Sequence, residues 1–405
     1  MIELIVNKKE DSKIIAILEN GKLVEIYEEN KENIKARNEG NIYLGIVKDI
    51  VSGMQAAFVD IGTEKNSFIH VKDVIPQVDE KIEKRPNVKI RDVLKPNQKI
   101  LIQIQKDSND KKGARTSTHI KLTGKYLIFM PNTNIVTISQ KIENEKERER
   151  LLNIIKEELP ENTGVILRTA AEKKSREELK GDLEQLIKKW NKIKAKFEKE
   201  TDKPELLYQS PSIIEKMILD LPEDRIERIE VNDQKEYDEI KQILADVNEN
   251  IKIEKEENLL EKYELEKQIE KSKQRKIWLN CGGFITIDPT EALVAIDVNS
   301  GKFTGKSTLE DTIYKVNYEA TLEIARQLRL RDIGGIIIID YIDMLKEENK
   351  EKIEKLLKET LKSDRAKTQV EGFTKLNLME LTRKHICSHN SLENSSESRI
   401  YIIRM

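Results

Sequence analysis

Short apolar runs separated by turn residues fill residues 1–125, and this pattern predicts β-strands. Residues 1–30 hold three such runs, "MIELIVN", "SKIIAILENG" and "KLVEIYEE", which are too few for a domain, so we expect them to pair with strands later in the chain. Residues 38–125 continue with "NIYLGIVKDIV", "QAAFVDIGTEKNSFIHV" and "KILIQIQKD". Short strands at this spacing predict a small barrel.

Helical periodicity dominates the middle of the chain. A highly charged helix is predicted at roughly 173–199, with an apolar stripe formed by Leu179, Leu183, Leu186, Ile187 and Trp190. Residues 205–275 combine amphipathic stretches with many Glu and Lys residues, and their sequence contains no catalytic cluster. We interpret residues 205–275 as scaffold.

Residues 277–382 predict a strand–helix–strand unit after a hairpin whose turn is "DPTEA". A capping box from Ser307 to Glu310 should open the helix, which should end at Gly334 and be followed by "IIIID", a buried strand ending at Asp340. Because such crossovers are right-handed and join parallel strands, the two flanking strands should end at one edge of a sheet. The predicted apolar stripe of the helix is Leu309, Ile313, Val316, Ala320, Ile324 and Leu328.

This topology should bring two carboxylates together, and they form a candidate site. Asp297 ends the strand before the helix and Asp340 ends the strand after it, so they should meet where open α/β sheets bind ligands. Mg²⁺ is typically held by one or two carboxylates together with substrate phosphate oxygens. Asn299 should point to the same face as Asp297, and Asp343 is a further candidate carboxylate. A strand-end Asp is also a common cap for the following turn, so the residues alone leave both interpretations open.

A phosphate-binding loop is the second interpretation of this region. The stretch "SGKFTGKS" ends in Gly305-Lys306-Ser307 between a predicted strand and a predicted helix, as a Walker A loop does. The pattern requires its first glycine at position 300, which is Ser300, and Gly301 comes one place late. This spacing disfavours a P-loop nucleotide hydrolase but leaves it as an alternative.

Two features of the predicted barrel region suggest contact with nucleic acid. Phe58 and Phe68 lie in neighbouring strands, where they could fill the core or stack on bases. The segment "KKGARTSTHIKLTGK" concentrates cations around glycine and hydroxyl residues, which is typical of a phosphate-backbone track but also of a solvated loop. Its cations are Lys111, Lys112, Arg115, Lys121 and Lys125. A non-catalytic RNA-binding protein is therefore a third alternative.

Composition narrows the class of protein. The chain has 405 residues, 36% of them charged, and no apolar run approaches the roughly 20 residues that span a bilayer. Its N-terminus lacks the pattern of a signal peptide, so we expect a cytoplasmic protein. The formal net charge of −2 means that any nucleic-acid surface must be local. Two cysteines cannot form a disulfide framework.

The stretch "ALVAIDVNSGKFTG" and the following "LEDTIYKVNYEATLEIARQLRLRDIGGIIIIDYIDM" closely resemble the catalytic core of the ribonuclease E/G family, in its compact form. The resemblance implies a multidomain α/β fold. Its expected parts are an RNase-H-like subdomain (1–35 and 205–276), an inserted OB-fold, S1-type RNA-binding barrel (36–120), a 5′-sensor region (121–204), a DNase-I-like catalytic subdomain (277–382) and a tail (383–405).

This resemblance implies a Mg²⁺-dependent endoribonuclease acting in rRNA or mRNA processing or decay. Such an enzyme cleaves single-stranded RNA, favours a 5′-monophosphate on its substrate, and leaves 5′-phosphate and 3′-hydroxyl ends. The motif match implies Asp297 and Asp340 as metal ligands and Asn299 as a catalytic residue. It implies a 5′-phosphate pocket of Gly124, Ile128, Arg168 and Thr169, and RNA contacts from Phe58, Phe68 and Lys112.

The tail departs from the family pattern. Members usually carry C-P-x-C-x-G, which supplies cysteines to a zinc ion shared by two protomers, whereas this tail has only Cys387, with His385 and His389 nearby. A Cys-and-His zinc site across a dimer and a chance grouping both remain open. A homodimer or homotetramer is expected by resemblance alone. Gly305-Lys306-Ser307 is not part of the shared family pattern, which counts against the P-loop interpretation.

Overall fold

The computed structural model describes residues 1–30, 38–74, 88–108, 112–199, 203–222, 225–247, 250–301 and 308–386. The chain forms two compact units. The split unit comprises Met1–Lys31 and Glu223–Met405, and the inserted unit comprises Glu32–Pro222. Among the described residues, no helix has the length and apolar character needed to cross a membrane.

Short strands and nine described helices make up both units, which gives a mixed α/β architecture with several sheets. The strands are β1 (Ile2–Lys8), β2 (Ser12–Glu19), β3 (Lys22–Asn30), β4 (Ile42–Val51), β5 (Ala56–Asp60), β6 (Ser67–His70), β7 (Lys99–Lys106), β8 (Arg115–Ser117), β9 (Leu122–Thr123), β10 (Leu127–Met130), β11 (Val136–Ile138), β12 (Gly164–Leu167), β13 (Glu205–Tyr208), β14 (Ile226–Val231), β15 (Lys252–Lys255), β16 (Lys276–Trp278), β17 (Phe284–Pro289), β18 (Leu293–Asn299), β19 (Gly335–Asp340), β20 (Thr368–Phe373) and β21 (Leu378–Arg383). The helices are α1 (Ile90–Val93), α2 (Glu145–Glu158), α3 (Arg176–Phe197), α4 (Ile213–Asp220), α5 (Gln234–Val247), α6 (Leu259–Lys262), α7 (Leu265–Ser272), α8 (Leu309–Leu330) and α9 (Glu347–Leu361).

A five-stranded sheet of the split unit joins the N-terminal strands to later ones, in the order β15-β14-β1-β2-β3. Strand β1 pairs antiparallel with β2 and parallel with β14. It is buried from Ile2 to Asn7, as expected of a strand covered on both faces. The expectation that the first three strands pair with a later part of the chain is therefore confirmed.

The inserted unit contains a closed five-stranded barrel. Its strands run β4-β5-β6-β8-β7, and β7 pairs with β4 to close the ring. Gly45 lets two strands approach inside it, because a Cβ at that position would lie 2.6 Å from Cγ1 of Val59. Strand β13 extends the barrel by pairing with β4, so residues 205–222 lie in the inserted unit rather than with the predicted scaffold from 205 onward.

A second sheet of the inserted unit, in the order β11-β12-β10-β9, packs against helices α2 and α3. The predicted stripe of α3 is confirmed, since Leu179, Leu183 and Leu186 are buried in this core. Ser175 caps the N-terminus of α3 in a capping box with Glu178.

The six-stranded sheet of the split unit has the order β16-β17-β18-β19-β21-β20. The predicted hairpin is β17–β18, and β18, α8 and β19 form the predicted crossover with β18 and β19 parallel. Helices α8 and α9 share a core with one face of this sheet. The strand "IIIID" is buried on that face only, because Ile337 and Ile339 are inaccessible whereas Ile336 on the other face is 51% exposed.

Helix α8 begins one residue later than predicted. Its N-cap is Thr308, whose hydroxyl accepts a hydrogen bond from the backbone N–H of Asp311. Glu310 does not close a capping box, since its carboxylate accepts from the backbone N–H groups of Leu345 and Lys346. Leu309 is 75% exposed, so the buried stripe runs through Val316, Ala320, Ile324 and Leu328. Ser307, the predicted cap, lies outside the described residues.

Candidate active site

The face of the six-stranded sheet opposite α8 and α9 carries the candidate site. Because side chains alternate along a strand, every second residue of β16, β17, β18 and β19 points to this open face. The cross-strand registers place these residues in two rows. One row is Trp278, Phe284 and Asn299, and the other is Lys276, Thr286, Asp297, Asp340 and Leu378.

Asp297 and Asp340 are direct neighbours in the second row. They are partners in the parallel register of β18 and β19, so their backbones are separated by one strand spacing of about 4.8 Å. Both side chains are exposed on the open face. The crossover therefore brings together two carboxylates that lie 43 positions apart in the sequence (340 − 297).

The charges around Asp340 disfavour its ionised form. Partial burial raises the pKa of the Asp340 carboxyl, and the negative charges of Asp297 and Asp343 raise it further. Carboxylates that repel each other in this way gain most from a shared cation. Asp343 thus contributes to the electrostatics of the pair, although it follows the end of β19.

Asn299 holds one of the two carboxylates. Its Nδ2 donates a hydrogen bond of 2.5 Å to Oδ2 of Asp297, two residues earlier on the same face of β18. Arg275 supplies positive charge nearby. It forms a bidentate ion pair with Asp288, and that pair, with a smaller contribution from Asp297, raises the pKa of the Arg275 guanidinium.

The donor set fits a hard divalent cation. Within the described ranges, no group of three or more His, Cys, Asp or Glu side chains is arranged to hold a metal ion. The candidate donors are the two neighbouring carboxylates of Asp297 and Asp340. Two carboxylates suit Mg²⁺, which keeps several waters and takes its remaining ligands from substrate phosphates. The same set does not suit zinc, which prefers nitrogen and sulfur ligands.

The loop that invites the P-loop interpretation lies outside the described residues, which include Gly301 but not Gly305, Lys306 or Ser307. Gly301 itself has a φ of 59°. A Cβ at Gly301 would lie 2.5 Å from the carbonyl oxygen of Gly282, so the chain leaves β18 through a turn that favours glycine.

The four residues of the expected 5′-phosphate pocket belong to the inserted unit, in and around the sheet β11-β12-β10-β9. Arg168 contacts Gly124 directly, since its Nη1 donates to the carbonyl oxygens of Gly124 (2.7 Å), Lys125 (3.1 Å) and Leu219 (3.3 Å). Its Nη2 forms an ion pair with the Asp220 carboxylate. The Thr169 hydroxyl lies 2.9 Å from that of Ser139. Ile128 is half-buried on β10.

Asp182 shapes this pocket, although no sequence motif pointed to it. Its carboxylate on α3 accepts hydrogen bonds from the backbone N–H groups of Lys125 (3.1 Å), Tyr126 (2.8 Å) and Leu127 (2.9 Å). A Cβ at Gly124 would lie 2.4 Å from Oδ1 of Asp182, so the position requires glycine. Burial raises the pKa of the Asp182 carboxyl, and this effect exceeds the lowering by the three N–H donors. The sequence feature that could have indicated this role is an acidic residue at helical spacing from the apolar stripe of α3.

Replacing Asp182 should destabilise the inserted unit. In Asp182→Ala three backbone donors lose their acceptor, which we expect to cost about 3 kcal/mol of unfolding free energy. Asp182→Asn keeps one acceptor oxygen and should lose less. Thermal and urea denaturation of both variants measure this, with Glu184→Ala on the exposed side of α3 as the control. Equal stability of Asp182→Ala and the control would refute the role.

Phe58 and Phe68 lie on the outside of the barrel. They face each other across β5 and β6 with ring centroids 6.1 Å apart in an edge-to-face arrangement. Both are half-buried, whereas Ala57, Val59 and Ile69 beside them fill the barrel core. Of the two interpretations left open by the sequence, packing in the barrel core is therefore wrong.

The basic segment beside these rings is partly neutralised. Arg115 on β8 is the register partner of Phe68 on β6, and it forms an ion pair of 2.9 Å with Asp73. Lys112 is exposed. Lys111, also predicted to belong to a phosphate-binding track, lies outside the described residues.

The candidate zinc ligands are only partly described. Nδ1 of His385 lies 2.7 Å from the carbonyl oxygen of Asp332. Cys387 and His389 lie outside the described residues, so zinc binding through the tail stays a prediction from the sequence.

Comparison with known proteins agrees with the resemblance in the motifs. A family model described as the Ribonuclease E/G family matches residues 121–386. Ribonuclease G of Salmonella typhimurium (strain SL1344) is 36% identical over 391 residues, covering 94% of this chain and 79% of that protein. Ribonuclease G of Haemophilus influenzae is 37% identical over 402 residues, covering 97% and 81%. Ribonuclease E of Escherichia coli (strain K12) is 37% identical over 360 residues, covering 86% of this chain and 34% of that protein.

Proposed function

The chain belongs to the ribonuclease E/G family and is an endoribonuclease that hydrolyses RNA phosphodiester bonds; we propose that it cleaves single-stranded RNA with Mg²⁺ bound by Asp297 and Asp340. The observation that carries the proposal is the register of β18 and β19, which makes these carboxylates neighbours on an open sheet face. The raised pKa of Asp340 supports it, because mutual repulsion of the pair favours a shared cation.

The residues of the site have separate roles in this proposal. A Mg²⁺ ion bound there would supply charge neutralisation on the scissile phosphate and a water of lowered pKa. Asp297 and Asp340 would hold the ion, and Asn299 would keep the Asp297 carboxylate oriented through the hydrogen bond seen between them. The exposure of both carboxylates leaves the site open to a polymer that could not enter a closed pocket.

We further propose that products carry 5′-phosphate and 3′-hydroxyl ends, which form when water attacks the phosphorus, the P–O3′ bond breaks and the 3′ oxygen leaves and takes up a proton. The test is incubation of a short 5′-phosphorylated oligoribonucleotide with Mg²⁺ or with a chelator, followed by analysis of the new ends. The proposal expects cleavage with Mg²⁺ alone and 5′-phosphate ends. Cleavage in chelator that leaves 5′-hydroxyl and cyclic phosphate ends would contradict it. Binding without cleavage would favour a non-catalytic RNA-binding protein.

A preference for 5′-monophosphorylated RNA is the second part of the proposal. Arg168 can bind a terminal phosphate through two parallel hydrogen bonds, and Thr169 can donate its hydroxyl. Arg168 already pairs with Asp220 through Nη2 and donates to three backbone carbonyls through Nη1, so a phosphate would have to compete with the carboxylate and with these carbonyls. We assign residues 121–204 to this sensor role, 36–120 to an OB-fold RNA-binding domain and 277–382 to a DNase-I-like subdomain. The RNase-H-like subdomain, expected at 1–35 and 205–276, is assigned to 1–31 and 223–276, because residues 205–222 belong to the inserted unit.

Phe58 and Phe68 are proposed to stack on bases of the RNA, with Lys112 contacting its backbone. Phe58→Ala and Phe68→Ala should each weaken binding of single-stranded RNA by about tenfold, since stacking contributes ~1–3 kcal/mol per base. Because the two rings touch, the double variant should lose less than the sum of the single losses. Fluorescence anisotropy measures the affinities, and Phe58→Tyr, which keeps the ring, is the control. Unchanged affinity in both Ala variants would exclude stacking.

A further inference from the structure

An aromatic pair lies on the open sheet face beside the candidate active site. Trp278 on β16 and Phe284 on β17 are register partners, with ring centroids 5.3 Å apart in an edge-to-face arrangement. Trp278 is 59% exposed, although indole is among the largest apolar groups a protein can bury. Exposure at this level indicates that the fold does not need the ring for its core.

A cation accompanies the two rings. Nζ of Lys276 lies 4.3 Å from the ring centroid of Trp278 and 3.5 Å from that of Phe284. Lys276 is itself exposed. Aromatic faces next to positive charge are the usual elements of a sequence-tolerant binding surface for single-stranded nucleic acid, in which bases stack on rings and cations follow the backbone.

The position of the pair connects it to the chemistry. Phe284 is the register partner of Asn299, and Lys276 lies in the row that continues through Thr286 to Asp297. At about 4.8 Å per strand, Trp278 stands two strands, or roughly 10 Å, from Asn299. An RNA strand whose phosphate lies at the carboxylate pair and that runs across β18 towards β16 would pass over these rings.

We propose that Trp278 and Phe284 form a stacking platform for an unpaired base close to the scissile phosphate, with Lys276 attracting the adjoining phosphate. The proposal rests on the proposed cleavage at Asp297 and Asp340 and adds to it a positioning surface on the same sheet. The platform holds RNA in line with the carboxylates and disfavours a base-paired substrate, whose bases are not free to stack.

The test is a scan of single abasic sites through the oligoribonucleotide, in which one base at a time is removed. In the wild type, abasic substitution at positions next to the cut should raise KM by about tenfold. Trp278→Ala should raise KM of the intact substrate by a similar factor and remove the effect of the abasic site. Trp278→Phe, which keeps a ring, should restore most of the affinity. An unchanged KM and an unchanged abasic profile in Trp278→Ala would overturn the proposal.

Tryptophan fluorescence can detect the contact between Trp278 and a base without cleavage of the RNA. The chain has two tryptophans, Trp190 and Trp278, and Trp190 packs against the core of the inserted unit. In Trp190→Phe, binding of an oligoribonucleotide should quench the remaining fluorescence, and an abasic site at the stacked position should abolish that quenching. Absence of quenching on saturated binding would refute stacking. If Trp278→Ala changes the oligomeric mass in solution but leaves the abasic profile unchanged, Trp278 contacts another copy of the chain. That result would also refute stacking.

Failure of the proposed cleavage can be distinguished from failure of the stacking platform. If the wild type does not cleave intact RNA with Mg²⁺, the proposed cleavage fails while the quenching arm still reports on the platform. If the wild type cleaves but Trp278→Ala behaves like the wild type in both arms, only the platform fails.

Discussion

Asp297→Asn and Asp340→Asn are each expected to lower the rate of RNA cleavage by about 10³-fold, because the metal contributes several kcal/mol of transition-state stabilisation and needs both carboxylates. The amide keeps the size of each side chain but removes its charge. Affinity for single-stranded RNA should remain within about twofold of the wild type, since each variant replaces one exposed carboxylate and removes no cation or ring from the RNA-binding surface. Single-turnover cleavage and anisotropy measure the two quantities separately.

Glu380→Gln is the matched control for this pair. Glu380 is exposed on β21 and is the register partner of Ile338, so it lies on the same open face, one row away from Asp340. Its neutralisation changes the charge of the face without touching the carboxylate pair. We expect near-normal cleavage by Glu380→Gln. Equal losses in all three variants would mean that the face acts through its total charge, and normal cleavage by Asp340→Asn would remove the assigned site.

Arg168→Ala is expected to abolish the preference for 5′-monophosphorylated over 5′-triphosphorylated RNA, a preference that two charge-assisted hydrogen bonds would set at about tenfold or more. Cleavage of a substrate with a 5′-hydroxyl should change little, because that substrate offers no terminal phosphate. The measurement is the ratio of kcat/KM values for the three 5′ ends, compared between the variant and the wild type.

Two further variants separate recognition from structure. Arg168 also donates to three backbone carbonyls, so Arg168→Ala should lose stability as well as selectivity. Arg168→Lys keeps the charge but lacks the planar fork, and we expect an intermediate ratio. Asp220→Ala removes the carboxylate that pairs with Arg168 and should increase the preference. An unchanged ratio in Arg168→Ala, in a folded protein, would refute the sensor role.

Local sequence pattern predicted the elements that position the candidate site. The hairpin β17–β18, the apolar stripe of α8 and the parallel crossover to β19 all follow from periodicity and from the handedness of crossovers. Because parallel strands bring their carboxyl ends together, the proximity of Asp297 and Asp340 could be inferred from the sequence alone. Family resemblance then supplied the chemistry expected of that pair.

Contacts between distant segments could not be predicted in this way. The Asp182 carboxylate binds backbone N–H groups more than fifty positions away (182 − 127 = 55), and nothing in the local pattern of α3 names that partner. The row of Trp278, Phe284 and Asn299 depends on the register of an edge strand, and a shift of one residue would have turned Trp278 away from the open face. The N-cap of α8 is Thr308, and Glu310, the predicted capping-box residue, accepts hydrogen bonds from the backbone N–H groups of Leu345 and Lys346 instead.

Binding of Mn²⁺, followed by electron paramagnetic resonance, tests whether Asp297 and Asp340 together hold the catalytic metal. Mn²⁺ replaces Mg²⁺ at sites of carboxylate and water ligands, and an RNA with 2′-O-methyl groups provides phosphate without being cleaved. We expect tight Mn²⁺ binding by the wild type and Glu380→Gln, and affinity at least about tenfold weaker in Asp297→Asn and in Asp340→Asn. Equal Mn²⁺ affinity in all four proteins would contradict this assignment.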